Sequence, residues 1–266
     1  MTTVISPEDL ILVTGATGGV GQLTVGKLLE KGLKVRILTR NAQKAATMFN
    51  NRVEVAIGDI CNPDTLSNAV AGVSYIINAA GTTAFPSDRW QFNSSWNWLE
   101  AIRKPQQLKA KAANSPEKVD AEGVINLVKA APRDLKRFVF VSSCGIVRKE
   151  DFPFKILNAF GVLDAKKKGE EAIISSGLPY TIIRPGRLID GPFTSYDLNT
   201  LLQATTKGKV GVVVGTGDKL SGDTSRIDVA AACVESLGLS RNLIFEIVNK
   251  GQRPSVIDWE TLLAGI

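Results

Sequence analysis

Three glycines, Gly15, Gly18 and Gly21, punctuate the stretch "VTGATGGVG". An apolar run precedes them and a helical pattern follows, all within the first 30 residues. A glycine turn in that setting lets the backbone come close to a pyrophosphate, and the unpaired N–H groups at the helix start receive its charge. The spacing is G-x-x-G-x-x-G rather than the commoner G-x-G-x-x-G. A glycine triplet alone would also suit tight packing; the strand before it and the helix after it favour dinucleotide binding.

Which dinucleotide depends on the end of the next strand. A carboxylate there would hold the ribose 2′-hydroxyl of NAD, whereas an arginine suits the 2′-phosphate of NADP. The strand ends "ILTRNAQK", with Arg40 and Asn41 and no acidic residue nearby. A guanidinium can grip phosphate through two parallel N–H bonds, so NADP(H) is the expected cofactor; the plain alternative is a surface arginine at a strand end. Asp59, in "GDI", closes the following strand, where its carboxylate could accept from an adenine amino group. A helix cap ahead of Asn62-Pro63 explains it nearly as well.

The chain has no histidine, which excludes Ser-His-Asp hydrolysis, histidine-held metals and histidine general bases. Cys61, Cys144 and Cys233 are odd in number and far apart. That usage fits a reducing compartment and has no metal spacing, so no metal site is expected. Cys144 stands beside Ser143 and invites a redox reading, but a cysteine with no histidine near it is more simply a buried structural residue.

The elements that must position these residues alternate. "DLILVT" (9–14) reads as a buried strand and "GGVGQLTVGKLLEKG" (18–32) as a helix stopped by Gly32. "LKVRILT" (33–39), "RVEVAIGD" (52–59) and "VSYIINAAG" (73–81) read as strands, with a short helix in "PDTLSNAVAG" (63–72). Helix "VDAEGVINLVKAA" (119–131), strand "KRFVFVSS" (136–143), helix "AKKKGEEAIISSG" (165–177) and strand "PYTIIRPG" (179–186) follow. Beyond residue 186 the rhythm loosens, leaving "KVGVVVG" (209–215), "IDVAAACVESLG" (227–238) and "LIFEIVN" (243–249) as strand, helix and strand. Such alternation argues an α/β fold with a parallel sheet covered by helices on both faces.

At 266 residues, a single domain over 1–266 is expected, with 82–118 as a long insertion. That insertion carries Trp90, Trp96 and Trp98. Its tryptophans are expected either to anchor a protein partner or to pack as a lid or satellite core. The composition, 44% hydrophobic and 22% charged, is globular. Net charge is +6, spread out apart from Lys166–Lys168 and the stretch Arg103–Lys111. This implies a basic surface favouring an anionic small ligand, with no nucleic acid expected. No apolar run approaches the roughly 18 residues of a membrane span. The start, "MTTVISPEDLILVTG", lacks a basic region ahead of an apolar one, so no signal peptide is expected and the location expected is cytoplasmic.

At "TGATGGVG", "GDI", "NAAG" (78–81), "VSSCG" (141–145), "KKKGEEAIISSGLPYTIIRPG" (166–186) and "SRIDVA" (225–230) the chain resembles the atypical short-chain dehydrogenase/reductases. It looks most like their cyanobacterial and plastid NAD(P)-binding branch, and is more distantly similar to biliverdin-IXβ/flavin reductase. The resemblance covers about residues 8–250, thinly over 82–118. It implies a Rossmann-type doubly wound sheet of seven strands and a small substrate region built from 187–266. It implies a plastid stroma as the location if a transit peptide has been removed.

The resemblance also implies site residues. Gly15, Thr17, Gly18, Gly19, Val20 and Gly21 would meet the pyrophosphate, Arg40 the 2′-phosphate, and Asp59 with Ile60 the adenine. Ala79, Ala80 and Gly81 would pass behind the nicotinamide ribose, and Pro185 and Gly186 would close over the carboxamide. Ser143 falls at the strand-end serine, and Lys166 at the lysine that holds the ribose hydroxyls.

One departure decides the chemistry. Standard members carry a tyrosine four residues ahead of the lysine as proton donor; here the position is Val162, and neither Tyr180 nor Tyr196 is an obvious substitute. A conjugated ring acceptor such as a flavin, bilin or quinone asks less of the protein, with Ser143 and Lys166 as the catalytic residues. The alternative is a non-catalytic NADP(H)-binding redox sensor or assembly factor, acting on a protein partner through 82–118.

Overall fold

Strand β1 (Leu10–Thr14) is apolar on both faces, and both faces are covered. Ile11 and Val13 point into one core while Leu12 points into the other, the period of two that a strand imposes. The computed structural model describes residues 4–86, 90–92, 112–189 and 210–266. Its main sheet contains β1, β2 (Lys34–Thr39), β3 (Glu54–Ile57), β4 (Tyr75–Asn78), β5 (Arg137–Val141) and β6 (Tyr180–Pro185). A two-residue β7 (Arg187–Leu188) follows, then β8 (Val210–Gly215), β9 (Asp223–Thr224) and β10 (Leu243–Gln252).

The sheet order is β3-β2-β1-β4-β5-β6-β10-β8, while β7 and β9 pair apart from it. Every neighbour in the main sheet is parallel except β8, which runs antiparallel to β10 with Val214 opposite Ile247. The α/β architecture is therefore the doubly wound one expected. The resemblance implied seven strands; among the described residues the sheet has eight, the eight runs read as strands from the sequence, with "KVGVVVG" lying antiparallel along β10 at the edge.

Among the described residues the helices are α1 (Gly19–Glu30), α2 (Ala42–Phe49), α3 (Ser67–Val70), α4 (Gly123–Ala130), α5 (Phe154–Leu157), α6 (Val162–Ser175), α7 (Arg226–Glu235) and α8 (Trp259–Ala264). On one face Leu28 of α1, Val229 and Cys233 of α7 and Leu263 of α8 pack with Ile11 and Ile37. On the other, Val124 and Leu127 of α4 and Ile173 of α6 pack with Leu12, Phe138 and Phe140. Each such side chain, fully buried, contributes roughly 1.5–3 kcal/mol.

The chain runs from β1 outward through β2 and β3, then returns to β4 on the other side of β1. This reversal opens a crevice at the carboxyl ends of β1 and β4, the place where ligands sit in open α/β sheets. Three short helices have no counterpart in the sequence reading: α2, α5 and α8. The expected helix over 119–131 begins instead as a π turn at Glu117–Glu122 before settling into α4.

Trp90 is 3% exposed. Its ring meets Phe160 edge-on at 5.9 Å, and its Nε1 donates to Thr83 Oγ1 at 3.0 Å. Of the two expectations for the insertion, Trp90 follows the satellite core and not the outward anchor. Trp96, Trp98, Tyr196 and the basic stretch 103–111 lie outside the described residues. Among the described residues no helix is long and apolar enough to cross a membrane.

Candidate dinucleotide-binding site

The glycines of the first turn are required by contact. Gly15 has φ +69°, the left-handed region, and a Cβ on it would lie 2.5 Å from Ala80 N and 2.6 Å from the Ala79 carbonyl. The bare backbone thus lets the end of β1 press on the end of β4. Gly18 N donates to Gly15 O at 2.9 Å and closes the turn. A Cβ on Gly21 would fall 2.1 Å from the same oxygen, so the start of α1 can sit on the turn only with glycine there. Val20 is buried, Thr17 and Gly19 are half-buried, and Gly18 is exposed. The first turn of α1 carries no acidic side chain of its own, which suits an anion at the positive end of its dipole.

Asn78 fastens the other lip. Its Oδ1 accepts from Thr14 Oγ1 at 2.7 Å and from Ala80 N at 3.0 Å, tying β1 to the turn Ala79-Ala80-Gly81. Directly above that turn is a buried ion pair. Lys166 Nζ of α6 lies 2.9 Å from Asp120 Oδ1 in the π turn, and Asp120 Oδ2 accepts from Thr82 N at 3.1 Å. Lys166 also donates to Val141 O at 3.3 Å and lies over the Phe140 ring. A Cβ on Gly81 would lie 3.4 Å from Lys166 Nζ and 3.0 Å from Asp120 Oδ1. The ammonium therefore faces the end of β4, where the crevice opens. Burial pushes the Asp120 carboxyl above the usual carboxylate range, although the ammonium and the Thr82 amide pull it down.

Helix α6 is bolted to the sheet one turn further on. Glu170 accepts from Arg184 Nη2 at 2.6 Å and Nε at 2.9 Å, and from Ser142 Oγ at 2.6 Å, all buried. Arg184 belongs to "IIRPG", so the motif's arginine fixes the helix that carries Lys166. Ser143, next along, is half-buried and donates to Cys144 O at 3.0 Å. Asp218 holds the following loop by accepting from Gly145 N and Val147 N, both at 2.7 Å. Gly186 N donates to Thr224 Oγ1 at 2.9 Å and Ile247 O at 3.0 Å, and a Cβ there would meet Gly222 O. Pro185 and Gly186 are thus held at the end of β6 by β9 and β10.

Val162 is 6% exposed and packs with Cys144, Ile146, Phe154 and Leu163. The position has no proton to give. Burial, with the nearby Asp218 and Glu246 charges, pushes the Cys144 thiol up to about 12, and its Sγ donates to Arg184 O. It is a core residue, not a thiolate.

At the far end, Arg40 Nη1 lies 3.5 Å from Asp59 Oδ2 and 3.4 Å from Gln91 Oε1. Asp59 Oδ1 accepts from Cys61 N, while the turn at Pro63 is capped by Asn62, whose Oδ1 accepts from Asp64 N. The cap reading of Asp59 therefore gives way to Asn62. Ile60 is buried in the core and its carbonyl is taken by Asn126, so its side chain does not line the crevice.

The structure sets the glycine turn against Ala79 and Ala80 and puts Lys166 beside Gly81, while Gly186 is held by Thr224 and Ile247 at the end of β6. The sequence reading missed Asp120. The signal was present as an acidic residue between Val119 and Ala121 in an apolar helical pattern, where a buried carboxylate needs a cationic partner.

A family model described as NAD(P)H-binding matches residues 15–238. Protein TIC 62, chloroplastic, of Pisum sativum is 30% identical over 93% of this chain and 44% of its own length, so the chain spans less than half of that relative. Sanguinarine reductase of Eschscholzia californica is 30% identical over 92% of this chain and 90% of the relative. The structure of a putative NAD-dependent epimerase/dehydratase from Bacillus halodurans superposes with a TM-score of 0.67 at 23% identity, covering 97% of this chain and 100% of the other; at that identity the likeness is one of fold. The chain belongs to the NAD(P)H-binding family.

Proposed function

We propose that the chain is an NADPH-dependent oxidoreductase, organised as a single domain, that reduces a conjugated ring acceptor such as a flavin, bilin or quinone. The observation that carries the reading is the Lys166 ammonium, held by Asp120 beside Gly81 at the switch-point crevice, with apolar Val162 one helical turn before it. The crevice fits a nicotinamide dinucleotide: Gly15 and Gly21 leave a backbone cradle, and the first turn of α1 carries no negative charge. Gly15, Thr17, Gly18, Gly19, Val20 and Gly21 would hold the pyrophosphate, Arg40 the 2′-phosphate and Asp59 the adenine. Ala79, Ala80 and Gly81 would line the nicotinamide ribose, with Lys166 donating to its hydroxyls and Pro185 and Gly186 beside the carboxamide.

NADPH, when bound there, supplies a hydride. The chain's own part would be to orient the nicotinamide and to leave the proton to solvent or to the Ser143 hydroxyl. Without a tyrosine acid, an acceptor whose added charge spreads over a ring is the one this site can serve. The relative named as a reductase of sanguinarine, matched over most of its length, agrees with reductase chemistry. NADPH oxidation against flavins, quinones and bilins, with a simple ketone as control, tests the reading. Turnover confined to the ring acceptors supports it, and robust ketone reduction defeats it.

A second reading rests on Val162 itself. With no protein acid at that position, NADP(H) occupancy could serve to set a conformation recognised by a protein partner. Since Trp90 is buried, such a surface would have to be built from other residues of 82–118.

A further inference from the structure

Arg226 has no role in the sequence reading, yet it is 2% exposed and lies against the glycine turn. A Cβ built on Gly19 would meet Arg226 Cδ at 2.7 Å, Nε at 2.9 Å and Cζ at 4.0 Å. A side chain at position 19 would have to displace the stem of Arg226. The turn "GATGGVG" offers backbone N–H groups and no formal charge, whereas a diphosphate carries two negative charges to be met.

The position of Arg226 is fixed from behind. It is the first residue of α7, and Ser225 before it donates through its backbone N–H to Asn249 Oδ1. Asn249 Nδ2 in turn donates to Asp228 Oδ2 at 2.7 Å, and Arg253 grips both oxygens of Asp228 at 2.8 and 3.0 Å. Thr224 donates to Ile247 O at 2.7 Å. The junction of β9 and α7 is therefore clamped onto β10, and the arginine it projects reaches the start of α1 from the opposite end of the chain.

We propose that Arg226 is the cationic ligand of the cofactor's diphosphate, so that the carboxyl-terminal part of the chain supplies the charge that the glycine turn lacks. This rests on the dinucleotide reading of the crevice. Guanidinium and phosphate match in charge and in fork geometry, and Arg226 lies at the turn and not at the ribose 2′ position, which falls to Arg40. Arg226 is accordingly a binding residue blind to the difference between NADPH and NADH.

The test is equilibrium titration of purified wild type and Arg226→Met, which keeps an apolar stem over Gly19, with NADPH and with NADH. The variant is expected to weaken both by at least about tenfold, roughly 1.4 kcal/mol, leaving their ratio unchanged. Affinities within about twofold of wild type would overturn the proposal, and so would a loss confined to NADPH, which would place Arg226 at the 2′-phosphate. If wild type binds neither nucleotide, the dinucleotide reading itself has failed. Should Arg226→Met not fold, the side-chain Nε–Hε resonance of Arg226 in wild type decides. It should shift with ADP-ribose and stay in place with 2′-AMP, which lacks the diphosphate; no shift with ADP-ribose would overturn the assignment.

Discussion

Asp120 and Lys166 form a buried ion pair, 2.9 Å from oxygen to nitrogen, between a π turn and the helix that follows β5. The pair spans the crevice wall beside Gly81. It fixes the ammonium that the dinucleotide reading places at the nicotinamide ribose.

Lys166→Met should weaken NADPH binding by roughly 1–2 kcal/mol through the loss of a charge-assisted hydrogen bond. Fluorescence titration of the nucleotide checks this. Unaltered affinity would make Lys166 one more member of the basic run Lys166–Lys168.

The same variant should change how stability depends on pH. Burial holds the Asp120 carboxyl above its ordinary 3.8 in the folded chain. Between the unfolded and folded values the folded chain binds more protons than the unfolded one, so this group's contribution is full below 3.8 and is lost as pH rises toward the folded value. Removing the ammonium drives the folded value higher and widens that window. Above pH 3.8, denaturant midpoints should fall more steeply with rising pH for Lys166→Met than for wild type. Parallel profiles would refute the coupling.

Glu170→Gln leaves the buried Arg184 guanidinium without its carboxylate and should cost roughly 3–5 kcal/mol of stability. A paired Glu170→Leu, Arg184→Met variant should be less destabilised than either single change. Urea unfolding of Glu170→Gln, of Glu170→Leu and Arg184→Met singly, and of the pair decides it; additive losses would mean that the two side chains do not act as a pair.

Arg40→Ala should erase most of an NADPH preference over NADH that is at least about tenfold, roughly 1.4 kcal/mol, in the wild type. Arg40 is exposed, and in the structure its only carboxylate partner among the described residues is Asp59 at 3.5 Å, which leaves it available to a phosphate. Equal affinities of wild type for the two nucleotides would remove Arg40 from the site.

The legible parts of this molecule were those written in period and punctuation. β1 and β4 through β6 are largely apolar runs and β2 an alternating one, and Gly15 and Gly21 stand where a Cβ would meet backbone at 2.5 and 2.1 Å. What stayed hidden depends on distance through space. Asp120 and Lys166 are 46 positions apart in sequence, and the π turn that aims Asp120 inward leaves no mark on a helical pattern. Arg226 reaches Gly19 from more than 200 residues away. The antiparallel edge strand β8 reads as any buried strand does; its direction is set only when it folds back on β10. Asn41 could have announced α2, since it caps that helix through the Lys44 amide, but eight residues with only Ala45 and Phe49 buried make a weak period.

The most direct measurement is the rate of NADPH oxidation by wild type and Lys166→Met at saturating nucleotide, with a flavin as acceptor. The account predicts steady turnover by wild type and a lower kcat in the variant, because orientation of the nicotinamide enters the transition state. Wild type that binds NADPH but fails to oxidise it with a flavin, a quinone or a bilin would contradict the account and leave the chain a nucleotide-binding sensor.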